Sequence, residues 1–154
     1  MRLVFSIPMW VIICFAVGLT ASYFQNESLT VWYPMLQRSS ITPPNIVFPI
    51  VWSILYLLMG ISAGLVSATT HVNRGFVLSI FVVQLLLNFL WCITFFAMRN
   101  PLLGLINILL LDALVIIYII ISFRVNRWAS VLFVPYILWL AIATYLNAYI
   151  YIYN

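Results

Sequence analysis

The sequence predicts an all-α integral membrane protein, a bundle of five transmembrane helices with no substantial soluble domain. Hydrophobic residues make up 67% of the 154 residues and charged residues only 5%, and the mean hydropathy is +1.23. A soluble domain is about half apolar and about a quarter charged, so this chain lacks the polar groups needed to cover itself in water. Its apolar residues form separate runs, each longer than the roughly 18 residues that indicate a membrane-spanning helix. Residues 1–154 are therefore predicted to form one transmembrane domain.

The predicted helices follow one another with little chain between most of them. They cover residues at about 4–24, 46–69, 76–98, 101–122 and 129–152. The first run is not followed by a small-residue cleavage pattern, so it is interpreted as a retained helix and not as a signal peptide. The second, third and fourth connections are a few residues long, which makes consecutive helices antiparallel neighbours.

Prolines mark specific positions in these helices. Pro49 lies in the first turn of the second helix, where a proline is tolerated. Asn100 followed by Pro101 predicts a helix start, with asparagine as the cap and proline at the first position, where its missing N–H costs nothing. Pro135 lies inside the fifth run, so it should kink that helix and free a backbone carbonyl.

The first connection, residues 25–45, is much longer than the others. Its sequence, QNESLTVWYPMLQRSSITPPN, contains Trp32, Tyr33 and Ile41 among polar and proline residues. A loop that only crosses water has little use for such side chains, and loops longer than about 12–15 residues are usually functional or disordered. We therefore predict that this segment is a packed lid.

The few charges indicate how the chain lies in the membrane. The basic residues are all arginines that stand singly, most of them between apolar runs, which is typical of topology-setting charges and not of a nucleic-acid-binding surface. One side of the membrane carries Arg2, Arg74, Arg124 and Arg127, and the other side carries Arg38 and Arg99. The positive-inside rule then predicts that the N-terminus is inside.

Helical spacing places polar and aromatic side chains on common faces. The stripes are Pro49, Trp52, Tyr56 and Gly60 in the second helix, Gln84, Asn88, Trp91 and Phe95 in the third, and Pro135, Trp139, Ala143 and Asn147 in the fifth. Polar side chains at membrane depth normally face the bundle interior, and Trp52, Trp91 and Trp139 lie deeper than the interfacial belts where tryptophan concentrates. These stripes predict an aromatic-walled pocket that stacks on a flat ligand; ordinary aromatic core filling is the alternative.

Two further features each allow two interpretations. Asp112 is expected to face inward, either as a protonated carboxyl that bonds a neighbouring helix or as a group for ligand contact or proton handling. The small-residue pairs Gly60-x-x-x-Gly64 and Gly18-x-x-x-Ser22 let helix backbones approach closely. Packing within the bundle is favoured over a dimer contact, although both need the same surface.

Several classes of chemistry are excluded. The single histidine, His71, lies in a connection, so no histidine at membrane depth is available for a metal or a haem iron. Cys14 and Cys92 lie inside apolar runs and form no metal-ligand or disulfide pattern. There is no Ser-His-acid set, carboxylate pair or glycine-rich phosphate loop. We expect no metal and no resident cofactor, so any reaction must use tryptophan and tyrosine rings on an oxidisable or light-absorbing ligand.

A series of motifs follows in order along nearly the whole chain. They are Trp32-Tyr33-x-x-Leu36, Pro43-Pro44, Val47-Phe48-x-x-Val51-Trp52-x-x-Leu55-Tyr56-x-x-Met59-Gly60, Asn88-x-x-Trp91-x-x-x-Phe95-Phe96 and Pro135-Tyr136-x-x-Trp139-x-x-x-Ala143-x-x-Leu146-Asn147. In this combination the sequence resembles the TspO/MBR family, the tryptophan-rich sensory proteins and mitochondrial translocator proteins. The resemblance implies a five-helix bundle, commonly a homodimer, and the chain length suits a member from a bacterial cell membrane.

The resemblance also implies ligands and a site. Members of the family bind porphyrins such as protoporphyrin IX, and many bind isoquinoline carboxamide and benzodiazepine drugs. Carried onto this sequence, the ligand-binding residues are Tyr33, Pro43, Phe48, Trp52, Tyr56, Asn88, Trp91, Asp112, Trp139, Ala143 and Leu146. Some members are implicated in light- and oxygen-dependent breakdown of protoporphyrin, which places Trp52 and Trp139 as the reacting aromatics. Porphyrin is then a ligand or substrate, and the protein is a membrane receptor or sensor in tetrapyrrole metabolism that also contacts membrane lipids.

Two other classes of function stay open at this point. The bundle is either a transporter of porphyrin or lipid across the membrane, or a scaffold for partner proteins that the pocket regulates. The sequence shows no inverted repeat or pair of broken helices, which argues against transport. Nothing in the sequence separates the scaffold from the receptor.

Overall fold

The fold is a bundle of membrane-length helices. A computed structural model describes residues 2–154, with side chains from residue 3 onward. The helices are α1 (Arg2–Val31), α2 (Val47–Ala68), α3 (Arg74–Trp91), α4 (Pro101–Phe123), α5 (Arg127–Val131) and α6 (Val134–Tyr153), with a 3-10 turn at Tyr33–Met35 and a π-helical segment, Cys92–Ala97, that continues α3. Five helical stretches of the described residues are long and apolar enough to cross a membrane. One of them combines α3 with the π-helical segment, and another combines α5 with α6. The predicted all-α class is confirmed.

The helix boundaries that proline and asparagine predict are present. Asn100 caps α4, since its Oδ1 accepts a hydrogen bond from the Leu103 backbone N–H at 3.0 Å, and Pro101 is the first residue of that helix. The fifth span is interrupted before Val134, and Pro135 lies in the first turn of α6. The predicted kink is therefore a break between two helices, placed so that the missing N–H of proline removes no helical hydrogen bond.

The first helix is longer than predicted, because it continues to Val31 instead of ending near residue 24. The polar segment beyond residue 24 contains no glycine or proline that would interrupt a helix. One of its side chains also finds a partner in the connection before α4: the Glu27 carboxylate pairs with the Arg99 guanidinium at 2.9 Å. The lid is consequently shorter than the predicted loop and comprises residues 32–46.

Glycines bring α1 and α2 into close contact. A Cβ atom on Gly64 would lie 2.6 Å from the Ile7 Cα, and one on Gly60 would overlap the backbone at Val11. These two helices can therefore approach only because the side chains are missing. The small-residue pair predicted in the second helix packs within the bundle, while a homodimer stays a prediction.

The half of the bundle away from the lid is a closed core. Phe81, Tyr118 and Phe133 pack against one another, with 4.2 Å between the ring centres of the last two. Beside them, Ser62 Oγ donates to the Ala129 carbonyl at 2.7 Å. The half under the lid differs, since a large cavity lies between the helices there.

Candidate functional site

A cavity of about 580 Å³ lies between the helices under the lid. Its walls come from α1, the lid, α2, α3 with its π-helical segment, and α6. None of the described residues of α4 lines it. Cavities of roughly 300–1,000 Å³ with mainly apolar walls and a few polar groups are the usual form of a small-molecule site.

Most of the residues that the resemblance implies for the site meet at this cavity. Those that line it are Tyr33, Phe48, Trp52, Tyr56, Asn88, Trp91, Trp139, Ala143 and Leu146. They come from the lid and from three different helices, so the fold and not the local sequence brings them together. Their contact with a ligand stays a prediction.

Pro43 and Asp112, which the resemblance also implies, lie elsewhere. Pro43 lines a separate pocket within the lid. Asp112 lies between α4 and α6, where its Oδ2 accepts a hydrogen bond from the Thr144 hydroxyl at 2.8 Å. The contact fits the first of its two interpretations, a protonated carboxyl that bonds a neighbouring helix. Its contact with a ligand stays a prediction.

Hydrogen bonds between three buried side chains form the floor of the cavity. The Tyr56 hydroxyl donates to Asn88 Oδ1 at 2.8 Å, and Asn88 Nδ2 donates to the Tyr136 hydroxyl at 2.8 Å. Asn88 is only 2% exposed, as its predicted inward position requires. A carboxamide has two N–H groups and two oxygen lone pairs, so one of each remains on Asn88 for a ligand.

Aromatic rings make the walls. The Trp52 ring lies 5.5 Å from the Tyr56 ring at an interplanar angle of 31°, and Phe48 contacts Trp139 edge to face at 5.6 Å. Aromatic rings in such offset and edge contacts keep part of their faces free for a further ring. If these side chains only filled a core, they would leave no space of this size between them. The geometry therefore favours a pocket over aromatic core filling.

The π-helical segment completes the wall on the side of α3. Trp91 stacks on Phe95 with 5.3 Å between ring centres and an angle of 13°, and the Trp91 Nε1–H donates to Asn147 Oδ1 at 3.0 Å. A π-helix holds one more residue per turn, which turns Cys92 and Phe96 toward the cavity as well. Such segments occur often at functional sites, but no residue pattern in this chain predicted one.

Sequence analysis missed the wall that α1 provides. The residues from α1 that line the cavity are Phe15, Gly18, Leu19, Ala21, Ser22, Gln25 and Leu29. The available signal was the small-residue pair Gly18-x-x-x-Ser22, since Gly18 lies directly against the Tyr56 ring. Conversely, Gln84 shares a stripe with Asn88 but lies below the floor, 0% exposed.

The electrostatics of the mouth depend on two residues of the lid. The Arg38 guanidinium carbon lies 5.3 Å from the centre of the Tyr33 ring. Burial raises the pKa of the Tyr33 hydroxyl above its ordinary value, although the positive charge of Arg38 opposes the rise. Tyr33 is therefore a neutral hydrogen-bond donor near pH 7.

Within residues 2–154, no group of three or more His, Cys, Asp or Glu side chains is arranged to hold a metal ion.

Comparisons with known proteins show which family the sequence matches. The profile of the TspO/MBR family matches residues 10–152. The chain is 40% identical over 139 residues to the tryptophan-rich protein TspO of Chlorobaculum tepidum. The aligned residues cover 88% of this chain and 87% of that protein. It is 39% identical over 139 residues to the protein of the same name from Archaeoglobus fulgidus, with 90% of each chain covered. The human Translocator protein is 34% identical over 119 residues, which cover 75% of this chain and 70% of the human protein.

Proposed function

This chain belongs to the TspO/MBR family, and from that premise we propose that it is a membrane receptor or sensor whose cavity binds porphyrins and isoquinoline- or benzodiazepine-type ligands. Family membership and five apolar spans make it a multi-pass integral membrane protein. Its relatives carry the names tryptophan-rich sensory protein and Translocator protein. The observation that carries the proposal is the aromatic-walled cavity of about 580 Å³ under the lid.

The wall chemistry supports a flat, mainly apolar ligand. Trp52, Trp91 and Trp139 line the cavity from three helices, and their rings gain dispersion and quadrupole contacts with a planar ring system. Asn88 at the floor supplies a donor and an acceptor that fix the ligand's orientation. No histidine is among the described lining residues, so the donor set suits a metal-free porphyrin, which needs no axial ligand.

The same proposal includes the light- and oxygen-dependent breakdown of porphyrin. The porphyrin is the group that is oxidised and molecular oxygen is the oxidant. The indoles of Trp52 and Trp139 relay electrons between them and return to their starting state, so no other reductant is needed. Both rings line the cavity, which is the placement that such a relay requires.

The setting of the protein is part of the proposal. We place it in a bacterial cell membrane, since the chain length suits a bacterial member of the family. We place its N-terminus inside, because that side carries Arg2, Arg74, Arg124 and Arg127 and the other carries only Arg38 and Arg99. We also propose that it is a homodimer in contact with lipid and acts in tetrapyrrole metabolism, as its family implies.

The test is a titration of the detergent-purified full chain with protoporphyrin IX, followed by tryptophan fluorescence. We expect saturable quenching that an isoquinoline carboxamide reverses, because both ligands occupy one cavity. Ala143→Phe fills the cavity and should weaken binding at least about tenfold, equivalent to about 1.4 kcal/mol. Ala141→Phe is the matched control, since Ala141 lies on the exposed face of the same helix. Equal affinities of the two variants would show that the porphyrin binds elsewhere.

A further inference from the structure

The lid contains a second pocket, which is polar. It has a volume of about 520 Å³ and is formed by residues between positions 36 and 45. Arg38 and Asn45 line this pocket and also line the central cavity. These two side chains therefore stand at the boundary between an aromatic chamber and a polar one.

Arg38 forms no ion pair with the side chains that the structure describes. The sequence contains only two acidic residues. The Glu27 carboxylate pairs with Arg99 at 2.9 Å, and the Asp112 carboxyl group accepts a hydrogen bond from Thr144 at 2.8 Å between α4 and α6. Neither is left for Arg38, so the boundary between the two chambers has a positive potential that attracts an anion.

Asn45 adds a neutral donor beside this charge. Its side-chain amide makes no hydrogen bond within the part of the chain that the structure describes, and the residue is exposed. A guanidinium together with an amide N–H is a suitable donor set for a carboxylate, because hydrogen bonds to an ionised oxygen are about twice as strong as neutral ones.

Hydrogen bonds within the lid and to α6 support the wall of the pocket. The backbone N–H and the hydroxyl of Thr42 both donate to the Ser39 carbonyl, at 3.0 and 2.7 Å. The Ser39 hydroxyl in turn lies 3.2 Å from the Tyr145 hydroxyl on α6. The pair Pro43-Pro44 restricts the backbone that follows. A subsite with this internal bonding loses little entropy when an anion binds.

We infer that the polar pocket is a carboxylate subsite for a ligand whose flat apolar body occupies the central cavity. The inference rests on the proposed function and deepens it, because it assigns Arg38 and Asn45 to one part of the ligand, the carboxylates on the edge of a planar aromatic ring system. Arg38 binds the carboxylate with charge-assisted hydrogen bonds, and Asn45 donates beside it. Arg38 is thereby a specificity residue that favours an acid over its ester.

The experiment compares protoporphyrin IX with its dimethyl ester, which has the same ring system and no charge. Fluorescence titrations of the unmodified protein should show the diacid binding about tenfold more tightly than the ester, the effect expected for one charge-assisted hydrogen bond. Arg38→Gln should lower the affinity for the diacid to that for the ester and leave the ester unchanged, while Arg38→Lys retains part of the preference. Arg124→Gln, an exposed arginine at the opposite end of the bundle, is the matched control.

Each other outcome overturns the inference. Equal affinity of the unmodified protein for the two probes, with both binding saturably, would remove the carboxylate subsite and leave the proposed function intact. A loss of affinity for both probes in Arg38→Gln would show that Arg38 only supports the lid. If neither probe binds the unmodified protein, the proposed function fails and the subsite fails with it. The elution volume and thermal midpoint of each variant show that it is folded.

Discussion

Asn154 holds the backbone of Gln37 with both ends of its side-chain amide. The Gln37 N–H donates to Asn154 Oδ1 at 2.9 Å, and Asn154 Nδ2 donates to the Gln37 carbonyl at 3.2 Å. This clasp joins the lid to the residue that follows α6. Since α6 also carries Trp139, the lid is fastened to the same helix that forms one wall of the cavity.

The clasp predicts faster ligand release when it is removed. Asn154→Ala should raise the dissociation rate of bound protoporphyrin about fivefold to thirtyfold, because two partly exposed hydrogen bonds, each contributing about 0.5–1 kcal/mol, no longer hold the lid. Stopped-flow displacement by an isoquinoline carboxamide measures this rate. Asn26→Ala is the control, since Asn26 is exposed on α1. Identical release from both variants would mean that the lid does not limit dissociation.

The two tryptophans of the proposed relay can be separated from binding. Replacing Trp52 and Trp139 together by phenylalanine should abolish the light-dependent loss of the porphyrin absorbance band, because phenylalanine is far harder to oxidise than tryptophan. The dissociation constant should change no more than about tenfold, since phenylalanine rings still stack on the ligand. Illumination with and without oxygen measures the loss. Trp128→Phe, at a ring that is 60% exposed, is the control, and continued loss in the double variant would refute the relay.

The close contact between α1 and α2 predicts that alanine destabilises the protein at one glycine and not at another. Gly64→Ala should lower the free energy of unfolding by about 1–3 kcal/mol, because a Cβ at this position overlaps the backbone of α1 at Ile7. Gly75→Ala is the matched control, since a Cβ there has no neighbour within 4 Å and should leave the stability nearly unchanged. Thermal unfolding in the same detergent compares the two. A stable Gly64→Ala protein would show that the helices separate at little cost.

The position of Asp112 predicts a structural and not a ligand-binding effect. Thr144→Val removes the hydroxyl that donates to the Asp112 carboxyl group and should lower the free energy of unfolding by about 1 kcal/mol. Porphyrin affinity should stay the same, because neither residue lines the cavity. Asp112→Asn keeps an oxygen acceptor for Thr144 and should be milder. A loss of porphyrin affinity in either variant, at unchanged stability, would show that Asp112 takes part in ligand binding.

The proposed orientation predicts which loops an impermeant reagent reaches. In a chain with Cys14 and Cys92 replaced by alanine, Ser40→Cys in the lid should react with a membrane-impermeant maleimide on intact cells. Val72→Cys should react only after the cells are opened, although Val72 is 90% exposed, because it lies on the side predicted to be inside. Mass shift on a gel measures both. The reverse pattern would place the N-terminus outside.

Features that depend on neighbouring residues were predicted correctly. The five apolar spans follow from residues whose transfer into lipid is favourable wherever they pack, and the start of α4 follows from Asn100 and Pro101, whose hydrogen bonds lie within one helical turn. The inward position of Asn88 follows from helical spacing together with the cost of a polar group in lipid. Each of these is decided within a few residues of the chain.

Features that depend on which helices face each other could be identified only from the tertiary structure. Asp112 and Tyr56 are both intramembrane polar residues, yet one meets Thr144 and the other meets Asn88. The wall from α1, the π-helical segment after Trp91 and the clasp on Gln37 were also not predicted. The wall and the clasp arise from contacts between residues far apart in sequence, and inside lipid such contacts are decided by many small packing and hydrogen-bond terms. Local sequence thus determines that polar and aromatic side chains turn inward. Helix packing decides which of these side chains enclose a cavity, because the many small contact energies act together only when all the helices are packed.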